Sequence, residues 1–251
     1  MYRTKIALTA LIALGVSHGA FALDHDHNAV WDGSYVGAFA GYGWGETDVD
    51  TTGQVAANVN NVAGGARPAN VSLDTDGMLG GVAVGYNWQM NDWVLGLEAD
   101  IAATGIDEKR RVNTTALNGV DRLANDFESS LDYLGTARAR VGYVFNQTMV
   151  YGTGGLAYGG VENEVNMFGP AGQLQFTGKK DSNELGYALG GGVEHAINDR
   201  WNVTASYLYY DLGEQTVAAN VVAGSGGGGT GYNSKFDNSG NIVRAGFGYS
   251  F

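Results

Sequence analysis

The chain ends Asn241-Ile242-Val243-Arg244-Ala245-Gly246-Phe247-Gly248-Tyr249-Ser250-Phe251. Every second residue (Val243, Ala245, Phe247, Tyr249, Phe251) is apolar or aromatic, and Arg244, Gly246, Gly248 and Ser250 between them are polar or tiny. Side chains of a strand alternate between its faces with period two. The segment therefore reads as a strand with one face suited to hydrocarbon and the other to a crowded interior.

The same alternation recurs upstream. It predicts strands near residues 35–45, 77–89, 93–104, 131–145, 149–161, 184–197 and 201–211, which with the C-terminal segment make eight. On the first, Val36, Ala38, Ala40, Tyr42 and Trp44 form the apolar face, and Tyr35, Gly37, Phe39, Gly41 and Gly43 the inner one. On the third, Leu95, Leu97 and Ile101 point outward while Gly96, Glu98, Asp100 and Thr104 point in. On the fourth, Leu131, Tyr133, Ala137, Ala139, Val141 and Tyr143 are assigned outward, against Asp132, Thr136, Arg138, Arg140 and Gly142. The sixth sends Leu185, Tyr187, Leu189 and Val193 out and Glu194 in. The fifth fits two phases, with either Met149, Tyr151 and Ala157 or Val150, Leu156 and Tyr158 facing out.

The connections alternate in character. Met90-Asn91-Asp92, Asn146-Gln147 and Asn198-Asp199-Arg200 read as tight turns, whereas 46–76, 105–130, 162–182 and 213–240 read as long polar loops. An even number of antiparallel strands with short turns on one side and long loops on the other is the asymmetry of a transmembrane β-barrel, its turns periplasmic and its loops extracellular. Aromatic residues at the strand ends (Trp88, Trp93, Tyr143, Trp201, Tyr249, Phe251; Trp44, Tyr207, Tyr209 toward the loops) match interfacial girdles. The expected fold is thus all-β, an eight-stranded antiparallel transmembrane barrel. A soluble sandwich or lipocalin-like barrel would place the Trp-, Tyr- and Leu-bearing faces inside. Eight such faces would overfill so small a barrel.

Residues 1–22 have the make-up of an export signal: Arg3 and Lys5, an apolar stretch from Ile6 to Val16, and an Ala20-Phe21-Ala22 cleavage site. The apolar stretch is shorter than the roughly 20 residues of a membrane helix. Residues 23–251 would then be the barrel domain. The mean hydropathy of −0.13 is low for a membrane protein, but only alternate barrel residues meet lipid. The net charge of −12 argues against nucleic acid, whose phosphates need Lys and Arg. Cysteine is absent, consistent with an oxidising compartment. Gly is abundant, 41 against 2 Pro, without the repeat of collagen.

The inward phase gathers Glu98, Asp100, Arg138, Arg140, Glu194 and Arg244. Isolated buried charge is costly, so these should pair across the interior. A barrel of eight strands is just wide enough for side chains to fill. The expectation is a salt-bridged plug, with a narrow channel for small solutes as the alternative.

Other candidates are weaker. His25-Asp26-His27 lacks the fixed geometry of a metal site, and no metal or other cofactor is expected. Asp74-Thr75-Asp76-Gly77 starts like a calcium loop but has no Glu at the required distance. Lys109-Arg110-Arg111 with Arg122 is a basic patch, either merely solvated or set against lipopolysaccharide phosphates. His195 has a lipid-facing phase and no nucleophile or acid placed to form a triad. Gly152-Thr153-Gly154-Gly155 lacks the helix of a dinucleotide site.

Taken in order, several segments carry a family resemblance. They are Trp31-Asp32-Gly33-Ser34-Tyr35-Val36-Gly37, Gly80-Gly81-Val82-Ala83-Val84-Gly85-Tyr86-Asn87-Trp88, Leu97-Glu98-Ala99-Asp100 and Arg138-Ala139-Arg140-Val141-Gly142-Tyr143. Tyr151-Gly152-Thr153-Gly154-Gly155-Leu156-Ala157-Tyr158-Gly159, Gly190-Gly191-Gly192-Val193-Glu194 and the final Phe251 complete the set. The chain resembles the small outer-membrane β-barrel family of Gram-negative bacteria, the porin-family or immunogenic outer-membrane proteins, similar in architecture to the OmpA transmembrane barrel. The resemblance implies insertion by the barrel-assembly machinery, with Phe251 as its signal, and residence among outer-membrane lipid and lipopolysaccharide. It also implies a role in envelope integrity and as a surface antigen, without shared catalytic residues. Rival readings are a solute channel, an adhesin with a host or environmental ligand at its loops, and a lipid-modifying enzyme.

Overall fold

The computed structural model describes residues 30–251; the signal segment and His25-Asp26-His27 lie outside the described residues. The chain forms eight strands and one helix: β1 (Gly33–Gly53), α1 (Ala56–Ala63), β2 (Asn70–Met90), β3 (Trp93–Thr115), β4 (Arg122–Phe145), β5 (Thr148–Phe168), β6 (Leu174–Ala196), β7 (Trp201–Val221) and β8 (Gly231–Ser250). Each strand pairs antiparallel with its sequence neighbours, and β1 pairs with β8 to close the barrel. The register of closure puts Ala40 opposite Ala245 and Gly41 opposite Arg244.

The turns at one end are tight because their residues allow it. Asn91 and Asn146 take φ of 53° and 57°, a left-handed conformation that Asn tolerates better than other non-glycine residues. Trp93 and Tyr143 meet edge-on at 5.1 Å beside them, and Trp201 and Tyr249 do the same at 5.1 Å. At the other margin, Trp44, Tyr187 and Tyr207 are exposed, with Tyr187 6.1 Å from Tyr209. Between these two rings Leu97, Leu156, Leu189 and Phe247 all point outward and are exposed. This is the apolar band of a transmembrane barrel. The phase of β5 is thereby fixed: Val150, Leu156 and Tyr158 face lipid, and Met149, Tyr151 and Ala157 are buried inside.

The strands run far beyond that band. They are 20 to 24 residues long, whereas about 10 tilted residues cross a bilayer. Most of the sequence expected as long loops is therefore strand. Only 54–69, 116–121, 169–173 and 222–230 connect β1–β2, β3–β4, β5–β6 and β7–β8. The reason is an exchange of polarity along an unbroken period. On β2 the outward residues change from Trp88, Tyr86, Val84, Val82 and Met78 to Asp76, Asp74 and Ser72. The inward ones change from Asn87, Gly85 and Ala83 to Leu79, Leu73 and Val71, so the strand continues with its apolar side turned inward. Beyond the lipid the barrel is built like a soluble one, around Val49, Leu73, Phe127, Val165, Phe236 and their neighbours.

Two local departures follow from bulges. The register shifts between Leu131 and Tyr133, which turns Leu131 into the core and leaves Asp132 exposed, the reverse of the strict alternation expected there. Between β6 and β7 the ladder pairs Tyr187 with Asp211 and resumes only at Thr177 with Asn220. Gln215, fully buried, reaches across that interval to Ser182 Oγ at 2.6 Å and Glu184 Oε1 at 3.3 Å.

The absence of cysteine lets single cysteines report this boundary. A nitroxide on Met78→Cys should be relaxed mainly by oxygen and one on Asp74→Cys mainly by a water-soluble nickel chelate, the two sites lying on the same face two periods of the alternation apart. Equal accessibility to both reagents at the two positions would remove the exchange of polarity.

Candidate functional site: the luminal charge network

Inside the membrane band the small inner residues leave room for large charged ones. Gly85 is an instance: a Cβ there would lie 2.4 Å from the Tyr35 ring, so its absence lets Tyr35 lie across the lumen. Tyr35 Oη donates to Glu98 Oε2 at 2.7 Å.

The structure brings all six expected luminal charges into one network. Arg138, on β4, donates through Nη2 to Glu98 Oε1 and, at 2.6 Å, to Asp100 Oδ2, both on the facing β3. Arg244 on β8 reaches the same two acids from the other side, at 2.8 Å to Asp100 Oδ2 and 3.4 Å to Glu98 Oε1. Arg140 donates to Glu194 Oε1 on β6 at 2.8 Å and to the Tyr35 hydroxyl at 2.9 Å, with Glu98 Oε2 at 3.5 Å. Three guanidinium groups thus meet three carboxylates, with each arginine side chain no more than 7% exposed. Glu98 sits at the centre, held by all three arginines.

Four further residues complete the network. Ser206 Oγ accepts from Arg244 Nε at 3.0 Å. Tyr151 lies under the Arg140 guanidinium at 4.2 Å and Phe39 under that of Arg244 at 4.5 Å, as cation–π partners. Tyr35, Phe39 and Ser206 carry inward phases in the sequence; their contacts are fixed only by the register that sets strands side by side. Tyr151 was obscured by the two possible phases of β5.

The network is one layer of a stack. Toward the turns lie Trp31, Val94, Met149, Tyr151 and Ala196. Toward the outside come Leu79, Ile106, Leu134, Leu208, Ile242 and their neighbours. Above these, Asn163 Nδ2 donates to Gln215 Oε1 at 2.9 Å and Asn238 Oδ1 at 3.2 Å, beneath the apolar core of the extension. The void beside the charges is about 40 Å³, lined by Tyr35, Phe39, Glu98, Tyr151, Glu194 and Arg244 among others. Such a space admits water and nothing as large as a sugar.

The other candidates are placed elsewhere. Asp74, Thr75 and Asp76 lie on β2, not in a loop. Lys109, Arg110 and Arg111 lie on β3 and Arg122 opens β4, so the basic patch is part of the wall. Lys109 pairs with Glu128 at 3.3 Å and Arg111 with Asp126 at 2.6 Å, while Arg110 Nη1 donates to Ser72 O at 2.5 Å. His195 is exposed on the lipid face, with Nδ1 2.9 Å from Thr148 Oγ1. Phe251 is exposed beside Tyr249, and its N–H donates to Ser34 O at 3.1 Å.

Removing one partner of a buried pair leaves an uncompensated charge and costs about 3–5 kcal/mol. Arg140→Met takes from Glu194 its hydrogen-bonded guanidinium and should lower the unfolding free energy of the folded, fast-migrating gel form by about that amount, read as a fall in its urea midpoint. Adding Glu194→Gln should recover a large part. An unchanged midpoint in Arg140→Met would mean that the network carries no stability.

Comparison with known proteins agrees with this geometry. The family model described as outer membrane protein beta-barrel domain matches residues 6–251. The 31 kDa outer-membrane immunogenic protein of Brucella melitensis biotype 1 is 35% identical over 196 residues, covering 74% of this chain and 73% of that protein. A 22 kDa outer membrane protein of Rhizobium leguminosarum bv. viciae is 28% identical over 181 residues, covering 72% of this chain and 64% of its own length. The structure of the outer membrane protein OprG from Pseudomonas aeruginosa superposes with a TM-score of 0.53 over 88% of this chain and 96% of its own, at 16% identity, a likeness of fold alone. Both sequence relatives are named for the outer membrane, and the first also for its immunogenicity. With a family model spanning nearly all of its length and a 35% identical relative matched over three quarters of it, this chain belongs to the outer membrane protein β-barrel domain family.

Proposed function

We propose that this outer-membrane β-barrel is a non-enzymatic structural protein of the envelope and a surface antigen. The stacked lumen carries the reading. A charge layer of three arginines and three acids sits between two apolar layers, and the void beside it is only about 40 Å³. A solute path would need a continuous wet passage, and apolar constrictions resist wetting. The rigid extension beyond the lipid would present its short connections and its acid-rich outer wall to antibodies, as the immunogenic relatives' name suggests for them. Lipopolysaccharide around the extension and the barrel-assembly machinery acting on the Phe251 strand are the partners that this role requires. Lys109 and Arg111 are already matched by Glu128 and Asp126, so the basic patch is a weak lipopolysaccharide anchor.

Planar-bilayer recordings with the purified protein should show no stable conductance, and a deletion strain should gain sensitivity to detergent while its lipid A mass spectrum stays the same. Large, steady currents would replace the structural reading with a channel. An altered lipid A would replace it with an enzyme.

A further inference from the structure

At the end of the barrel away from the turns, the four connections border a half-open cavity of about 180 Å³ at the mouth of the extension. Asn61 of α1, Ala116 of the β3–β4 turn, Pro170 of the β5–β6 turn and Gly228 of the β7–β8 connection all border it. Phe176 and Tyr232, packed edge to face at 5.0 Å, and Leu123 supply apolar wall.

Arg67 also lines this cavity, and it is only 3% exposed. Its Nη1 donates to Asn125 Oδ1 at 2.7 Å and Phe168 O at 3.0 Å, and its Nη2 to Gln175 Oε1 at 3.0 Å. The Phe176 ring lies 5.8 Å from its guanidinium carbon. All three acceptors are neutral, and among the described residues no carboxylate pairs with Arg67. The luminal arginines differ, since each of them meets at least one acid. Burial lowers the Arg67 pKa from its ordinary value, and the Tyr232 hydroxyl beside it partly restores it. Even so, a guanidinium does not give up its proton in a protein. A buried charge without a counter-charge is costly. A clamp role explains the three hydrogen bonds, because Arg67 ties the segment after α1 to β4, β5 and β6. It does not explain why a full positive charge, whose five N–H donors meet three neutral acceptors and the Tyr232 hydroxyl but no carboxylate, should line an open space with aromatic walls.

We propose that this cavity is a binding site for a small organic monocarboxylate, its carboxylate on Arg67 and its apolar body against Phe176, Tyr232 and Leu123. A planar carboxylate matches the guanidinium edge, and a single negative charge balances the single positive one. A phosphate dianion would bring one negative charge more than the single guanidinium balances. The volume is below the roughly 300–1,000 Å³ of drug-sized sites, which restricts the ligand to about the size of an aromatic acid. That the ligand comes from outside the cell rests on the outward orientation of these connections in the reading above; the site itself does not.

Benzoate is the probe, titrated calorimetrically into the purified full barrel in detergent micelles. Benzamide serves as its neutral isostere and inorganic phosphate as the competing anion. Saturable benzoate binding is expected, with benzamide and phosphate weaker by about tenfold or more, the scale of a lost charge-assisted hydrogen bond. Arg67→Met should abolish benzoate binding. Leu123→Phe narrows the cavity and leaves every Arg67 partner in place, so it should weaken binding while the heat-dependent gel shift of the folded barrel persists. No benzoate binding, equal binding by benzamide, tighter binding by phosphate, or undiminished binding in Leu123→Phe would each overturn the proposal. Orientation is read separately. Leu117, 58% exposed beside the cavity, replaced as Leu117→Cys, should react on intact cells with a membrane-impermeant maleimide. Failure to label would contradict the outward-facing connections and leave the binding result on purified protein standing.

Discussion

Hydrocarbon offers the peptide backbone no hydrogen-bond partner, and in this chain that constraint decides the rest. A sheet in lipid must leave no edge, so β1 has to find β8. Closure with eight strands then fixes a bore that side chains alone can fill. Within that bore the choice of side chain is narrow. Charges can stay there only if they balance, and the six that do are three of each sign on β3, β4, β6 and β8. The small residues of β1, β2 and β8 give Tyr35, Phe39 and the arginines their room, as the crowding of any Cβ at Gly85 or Gly246 shows.

Beyond the lipid the constraint is released and the ordinary hydrophobic effect returns. The outer face can be acidic because it meets water, and Asp48, Asp74 and Glu214 lie there. The inner face must then bury apolar groups, and Val49, Phe127 and Phe236 do so almost completely. One unbroken strand thus serves two solvents, with its apolar side outward in one and inward in the other. The connections that remain are short, and they close the extension instead of trailing from it.

The membrane part was legible in the sequence because lipid and lumen select opposite residue types at alternate positions. Val36 against Gly37, or Leu97 against Glu98, leaves one phase. The six luminal charges stood out for the same reason, each being the ionic member of an inward set. The extension was hidden because its outward residues, such as Asp48 and Asp50 or Asp74 and Asp76, resemble those of a loop when only lipid-facing faces are sought. Its signal was nevertheless present in Val71 and Leu73, Val165 and Met167, and Val217 and Ala219, inward apolar pairs each two residues apart. The fate of Leu131 and Asp132 was not readable, since a bulge depends on the neighbouring ladder. Arg67 was invisible for a related reason: it lies in an irregular connection, and its partners Asn125, Phe168 and Gln175 come from three other parts of the chain.

The closing seam is the most direct place to test the account. Ala40 and Ala245 face lipid as opposed residues across β1 and β8, and the chain has no cysteine of its own. Opposed residues of antiparallel strands lie about 4.5–5.5 Å apart at Cα, a spacing that a disulfide can span. Oxidation of the folded Ala40→Cys/Ala245→Cys protein in micelles should give an intramolecular disulfide in high yield. A pair shifted by two residues, Ala40→Cys/Phe247→Cys, should give little. Two free thiols in the folded Ala40→Cys/Ala245→Cys protein, or a higher yield from the shifted pair, would contradict closure in this register and with it the packed, balanced lumen.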